Sequence, residues 1–110
     1  MSQLTKETKA ELKEQYEKIY LTVLDNEQEI VWRPIKRSEY REIITSTDLS
    51  KTEDEIIIER QEQTCKRCIV FPSGEELEKL LEEYAGVAIS ICSEIYDKSG
   101  FDVKVQTKEL

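Results

Sequence analysis

Tyr20-Leu21-Thr22-Val23-Leu24, then Asp25-Asn26-Glu27-Gln28, then Glu29-Ile30-Val31-Trp32-Arg33 is the stretch that decides the fold. Two runs rich in β-branched and aromatic residues flank four polar residues, which predicts a β-hairpin with its turn at 25–28. Pro34 follows at once, and its ring forces Arg33 into extended backbone and ends the second strand. A lone hairpin is marginal in water, so other elements must cover it.

Helical signals lie on both sides of the hairpin. Residues 3–18 alternate lysine and glutamate around sparse Leu4, Leu12, Tyr16 and Ile19, the pattern of an exposed helix with pairs such as Glu14 to Lys18. Ser38 is placed to cap a helix over 39–46 in which Tyr40, Ile43 and Ile44 point inward. Thr52 with Glu55 is a capping box, and Glu53, Asp54 and Glu55 suit the positive end of the next helix. That helix is expected to run to about residue 70, with Pro72 as its stop. Ile56-Ile57-Ile58 as a short strand is the alternative, disfavoured because Glu59 to Cys68 shows no strand alternation.

Ser73 with Glu76 repeats the capping box before the stripe Leu77, Leu80 and Leu81. Tyr84-Ala85-Gly86 marks a break, after which Val87 to Tyr96 reads as a buried helix carrying Ala88, Ile91, Cys92 and Ile95. Gly100 suits a left-handed position after it, with Phe101 folded back over the last turn. The expected fold class is α+β, a β-hairpin packed against three to four helices. Its expected organisation is an exposed N-terminal helix over 1–18, a single α+β domain over 19–101 and a flexible tail over 102–110. The expected core is Trp32, Tyr40, Ile44, Ile57, Cys68, Ile69, Leu77, Leu80, Val87, Ile91, Ile95 and Phe101.

Composition narrows the function classes. A formal charge of −8 repels phosphate backbones, so nucleic acid is not an expected partner. No apolar run approaches the roughly 20 residues of a membrane span, and the N-terminus lacks the apolar core of a signal peptide. Three cysteines, an odd number without a secretory signal, point to a reducing cytoplasm.

With no histidine in the chain, a serine or cysteine nucleophile lacks its usual base. The three glycines form no phosphate-cradling loop. Glu75, Glu76, Glu78, Glu82 and Glu83 read as the solvated side of a helix. No enzyme is expected, and no catalytic, cofactor-binding or metal-ligating residue is assigned. Cys65-Lys66-Arg67-Cys68 is the one motif that suggests chemistry, as half of a zinc site with Cys92 or as a redox pair. Both readings yield to core packing, because the thiols fall late in a helix on one face with Ile57 and Ile69.

Contact chemistry gathers instead at the corner from Ile30 to Arg41. Trp32 and Arg33 are residue types enriched at interface hot spots, although Trp32 reads first as packing the hairpin on the helices. Lys36, Arg37 and Arg41 set positive charge on an acidic protein and complete the candidate interface. Lys66 and Arg67 form the other basic cluster, and all five of these basic residues read first as solvated or paired with nearby glutamates.

Three segments carry a resemblance. Trp32-Arg33-Pro34-Ile35-Lys36-Arg37-Ser38-Glu39-Tyr40, then Cys65 to Pro72, then Ala85-Gly86 with Ser99-Gly100-Phe101 occur in an order that resembles small proteins of tailed bacteriophages, the tail-assembly chaperones and baseplate or tail components. It spans residues 29–101 and leaves the N-terminal helix unexplained. The resemblance implies a non-enzymatic assembly protein, either a chaperone or a minor structural component, without a cofactor. Its implied partners are phage tail or baseplate proteins, with a second copy of the chain as a further candidate and neither nucleic acid nor membrane. Its implied location is the host cytoplasm during assembly, or the virion. The alternative from another class is a metal- or redox-dependent regulatory or adaptor domain using Cys65, Cys68 and Cys92.

Overall fold

The computed structural model describes residues 3–101 and 103–110. Expectations that fall on Met1, Ser2 and Asp102 lie outside the described residues. The chain is an α+β protein, as the hairpin and the helical periodicities predict. Its order is α1 (Lys6–Gln15), β1 (Tyr20–Val23), β2 (Glu29–Trp32), α2 (Arg37–Ser46), α3 (Glu53–Cys68), β3 (Ile69–Phe71), α4 (Gly74–Glu83) and α5 (Ala85–Lys98).

The hairpin forms in the expected place, with Tyr20 opposite Trp32 and Val23 opposite Glu29. Leu24 N–H donates to Gln28 C=O and Glu27 N–H to Leu24 C=O, both at 2.9 Å, which closes the turn. Glu27 takes the left-handed φ of 67° that this geometry requires. Asn26 Oδ1 accepts from Gln28 N–H at 3.0 Å and braces the turn from its side chain.

A third strand departs from the expectation that α3 continues to about residue 70. The helix ends at Cys68, and Ile69–Phe71 pairs antiparallel with β2 across a register shift at Val31/Trp32. Two features explain the switch. Pro72 holds Phe71 out of the helical region, and Ile-Val-Phe is a run of strand formers. Arg33 also satisfies the carbonyls that the helix leaves open, its N–H reaching Cys68 C=O at 2.9 Å and its Nη2 reaching Arg67 C=O at 3.0 Å. The sheet order is therefore β1-β2-β3, with β2 in the middle.

Alternation divides the sheet into two faces. Ile30 and Trp32 enter the main core with Ile35, Ile43, Cys65, Cys68, Ile69, Leu77, Leu80, Val87, Ile91, Cys92 and Ile95. Val31 points the other way yet is only 3% exposed. Leu4 and Leu12 share a hollow with Leu21 and Val31, so the N-terminal segment and α1 cover that second face. Lys9 adds an ion pair to Glu29 at 3.9 Å, although α1 itself has no buried residue.

Helix ends follow local chemistry more than the expected caps. Thr52 Oγ1 accepts from Glu55 N–H at 3.3 Å, as the capping box predicts. Ser38 does not cap α2; the helix starts two residues earlier than expected, at Arg37, because Glu39 accepts from Lys36 N–H at 3.1 Å. Ser73 makes no side-chain cap bond. The break before α5 falls at Tyr84, whose hydroxyl accepts from Asn26 Nδ2 at 3.2 Å, and Gly86 lies inside the helix. Gly100, at φ +90°, closes α5 as expected: its N–H reaches Asp97 C=O at 3.3 Å, and Phe101 N–H reaches Tyr96 C=O at 3.1 Å.

Two expected core residues lie outside. Ile57 is 53% exposed, because the tertiary bonds of α3 cluster from Arg60 onward: Arg60 to Thr47, Thr64 to Tyr96 and Cys65 to Ala88. Phe101 is 51% exposed but does fold back, with its ring 4.6 Å from Tyr96 and 4.9 Å from Tyr40. Tyr40 and Ile44 are half-buried. Residues 103–110 are exposed and carry no helix or strand. These overhanging parts raise the radius of gyration to 15.6 Å, against about 13 Å for a compact chain of this length.

Candidate functional site

Trp32–Tyr40, the end of α3 at Arg67 and Cys68, and Ser99–Phe101 meet at one corner of the molecule, where the end of β2 turns into α2, whereas Ala85 and Gly86 lie at the other end of α5 beside Val23 and Asn26. Arg33 is its hub. Its guanidinium grips Glu39 at two points, Nη1 to Oε1 at 2.8 Å and Nη2 to Oε2 at 2.7 Å. It also donates to Pro34 C=O at 3.1 Å, so the corner is tied to itself and to the end of α3. Arg67 in turn reaches Glu42 at 2.8 Å, linking α3 to α2.

The third segment closes the corner from below. Ile35 N–H donates to Ser99 Oγ at 2.9 Å, and Ser99 Oγ donates to Ile95 C=O. Tyr40, Tyr96 and Phe101 form an aromatic cluster beside it, with Tyr40 edge-on to both partners.

The candidate interface residues separate into two groups. Trp32 is 2% exposed, stacked on Tyr20 at 4.8 Å and bonded through its indole N–H to Thr22 Oγ1 at 2.8 Å. It packs the hairpin and is closed to a partner. Arg33 is engaged inward, and its mutual hydrogen bonds with Glu39 raise the arginine pKa and lower that of the carboxylate. Lys36, Arg37 and Arg41 are exposed and form no ion pair among the described residues. The basic residues of the Cys65–Cys68 motif differ: Lys66 pairs with Glu78 at 3.3 Å and Arg67 with Glu42.

A groove of about 570 Å³ runs beside the corner, lined by Gln15, Tyr16, Glu17, Lys18, Arg33, Pro34, Ile35 and Lys36. Of the three exposed basic residues, Lys36 lines this groove. Among the described residues β2 offers no free edge at this corner, because β3 occupies that side of it, and the open edge is β1.

The cysteines have the environment of core residues. Cys65, Cys68 and Cys92 are buried free thiols, and Cys65 Sγ donates to Ala88 C=O at 3.4 Å. Burial pushes the Cys65 and Cys68 thiols up to about 12 and raises Cys92 as well. Among the described residues, no group of three or more Cys, Asp and Glu is arranged to hold a metal ion. Thr64, the one buried polar residue described, donates to Arg60 C=O at 2.8 Å and shares a 2.9 Å bond with Tyr96. No helix among the described residues is long and apolar enough to cross a membrane.

Compared with protein-family models, curated proteins and solved structures, the chain matches none of them.

Proposed function

We propose that this protein is a non-enzymatic assembly factor of a bacteriophage tail or baseplate, a chaperone or minor structural component that acts by protein–protein contact. The observation that carries the reading is the unpaired basic trio Lys36, Arg37 and Arg41, exposed on a corner whose rigid scaffold is built from parts of the three signature segments. On a chain of net charge −8, such a patch attracts and orients an acidic partner surface. The rigidity supplied by Arg33 limits what the corner loses on binding. The metal or redox alternative draws no support from thiols that are buried and held in their protonated form.

The test is co-expression with tail and baseplate proteins of tailed bacteriophages. Stable co-purification with at least one is expected, and the triple change Lys36→Glu, Arg37→Glu, Arg41→Glu is expected to abolish it with the circular dichroism spectrum unchanged. Arg33 is left intact because its loss would damage the corner itself. Failure of the folded wild type to bind any of them overturns the phage reading; binding that survives the triple change overturns the corner as the contact.

A further inference from the structure

The outer edge of β1 is open. In an antiparallel sheet successive residues turn their backbone groups to opposite sides. Leu24 N–H bonds to Gln28 C=O within the hairpin, and the register pairs Thr22 with Ile30 and Tyr20 with Trp32. Leu21 and Val23 therefore direct their N–H and C=O groups away from β2. No strand lies beyond them among the described residues, and the two residues are 49% and 56% exposed. Proteins ordinarily blunt such an edge with a charge, a proline or a bulge, and none interrupts Tyr20–Val23.

The edge is also electrically polar along its length. Lys13 lies beside its Tyr20 end and Lys98 stands 5.8 Å above the Tyr20 ring, with Glu17 and Lys18 just before it in sequence; Lys9 is neutralised by its ion pair with Glu29. Asp25 and Glu27 follow its Val23 end. A strand that runs antiparallel and carries the same pattern sets each positive end against a negative one, twice.

We propose that this edge pairs with the same edge of a second copy across a two-fold axis, joining two three-stranded sheets into one. The register that uses every outward group of both residues puts Leu21 opposite Val23 of the second copy and Thr22 opposite Thr22. It buries both exposed apolar side chains on one face. The contact is isologous and closes at two copies, so it gives a dimer and no filament. This inference stands apart from the phage reading, since it needs only the strand and its flanking charges. The exposed alternation of Val103 and Val105 offers a rival strand from the same chain, but among the described residues it makes no backbone bond to β1, and it lacks the matching charge pattern.

Sedimentation equilibrium of the full chain tests the proposal. A concentration-dependent dimer is expected for the wild type. Val23→Pro removes an amide that faces outward and Leu21→Lys charges the edge, so each is expected to weaken the dimer at least tenfold with the melting transition retained. Val103→Lys with Val105→Lys is expected to leave it unchanged. In Thr22→Cys, the native thiols being buried, mild oxidation is expected to give a disulfide-linked dimer. A wild type that stays monomeric into the high-micromolar range overturns the proposal. So does a dimer that persists in both folded edge variants, or one lost in the Val103 and Val105 variant. A Thr22→Cys dimer that fails to cross-link overturns the two-fold register. Should Val23→Pro not fold, Leu21→Lys decides alone.

Discussion

Arg33 and Glu39, six residues apart, face each other across the turn into α2 in a two-point ion pair with side chains only 19% exposed. The pair joins the strand, the helix start and, through Arg67 C=O, the end of α3. A planar guanidinium matches a carboxylate in a way an ammonium cannot, so Arg33→Lys does not preserve the corner.

Arg33→Ala is therefore expected to cost about 2 kcal/mol, and Arg33→Lys more than half of that. The pair also makes stability depend on acid. Glu39 has a folded pKa held below its ordinary value, chiefly by the Arg33 hydrogen bonds. Its contribution is then complete above the unfolded value near about 4.3 and is lost as pH falls through the lower, folded one. Denaturant titrations of wild type and Glu39→Gln should differ at pH 7 and converge under acid; an unchanging gap would show that the carboxylate charge is not what holds the corner.

Much of this corner was legible as motif and not as mechanism. Trp32-Arg33-Pro34 could be read as a strand end, and Ser99-Gly100-Phe101 as a helix cap, because both depend on local backbone rules. That Ser99 accepts from Ile35 N–H, sixty-four residues away, depends on packing that no spacing encodes. β3 was missed for a different reason. Ile69-Val70-Phe71 follows Cys68 with no glycine, proline or turn residue between helix and strand, and only the residue before Pro72 carries a local signal for extended backbone. Ile57 was misplaced because helical register says which residues share a face but not how far a neighbour extends along it.

The thiols give a second expectation. With Cys65 and Cys68 near about 12 against an unfolded value near about 8.5, both states are protonated at neutral pH and neither thiol is reactive in the fold. Their contribution is complete below the unfolded value and declines as pH rises from there toward the folded one, since the unfolded chain gives up its protons first. Native protein should resist a thiol-specific reagent that labels three cysteines per chain in denaturant. Joint replacement of Cys65 and Cys68 by alanine should cost about 1–3 kcal/mol through lost packing. Rapid labelling of the native state would show an accessible, reactive pair.

The N-terminal helix is the clearest place where packing modifies the sequence reading. Its thin apolar stripe and dense charge suggest a segment that adds little stability, and no residue of α1 is buried. Val31 argues otherwise. It lies on the sheet face opposite the main core, where Leu12 and Leu4 close the hollow it shares with Leu21. Burying a valine is worth about 1.5 kcal/mol, and most of that burial depends on the N-terminal segment. Removing residues 1–18 is therefore expected to leave the core helices and the sheet folded but to lower stability by about 1–2 kcal/mol. Leu12→Ala should reproduce about half of the loss, and Leu12→Met nearly none. Urea unfolding of the three variants measures it; a truncated chain as stable as the full one would show that Val31 is covered by other residues.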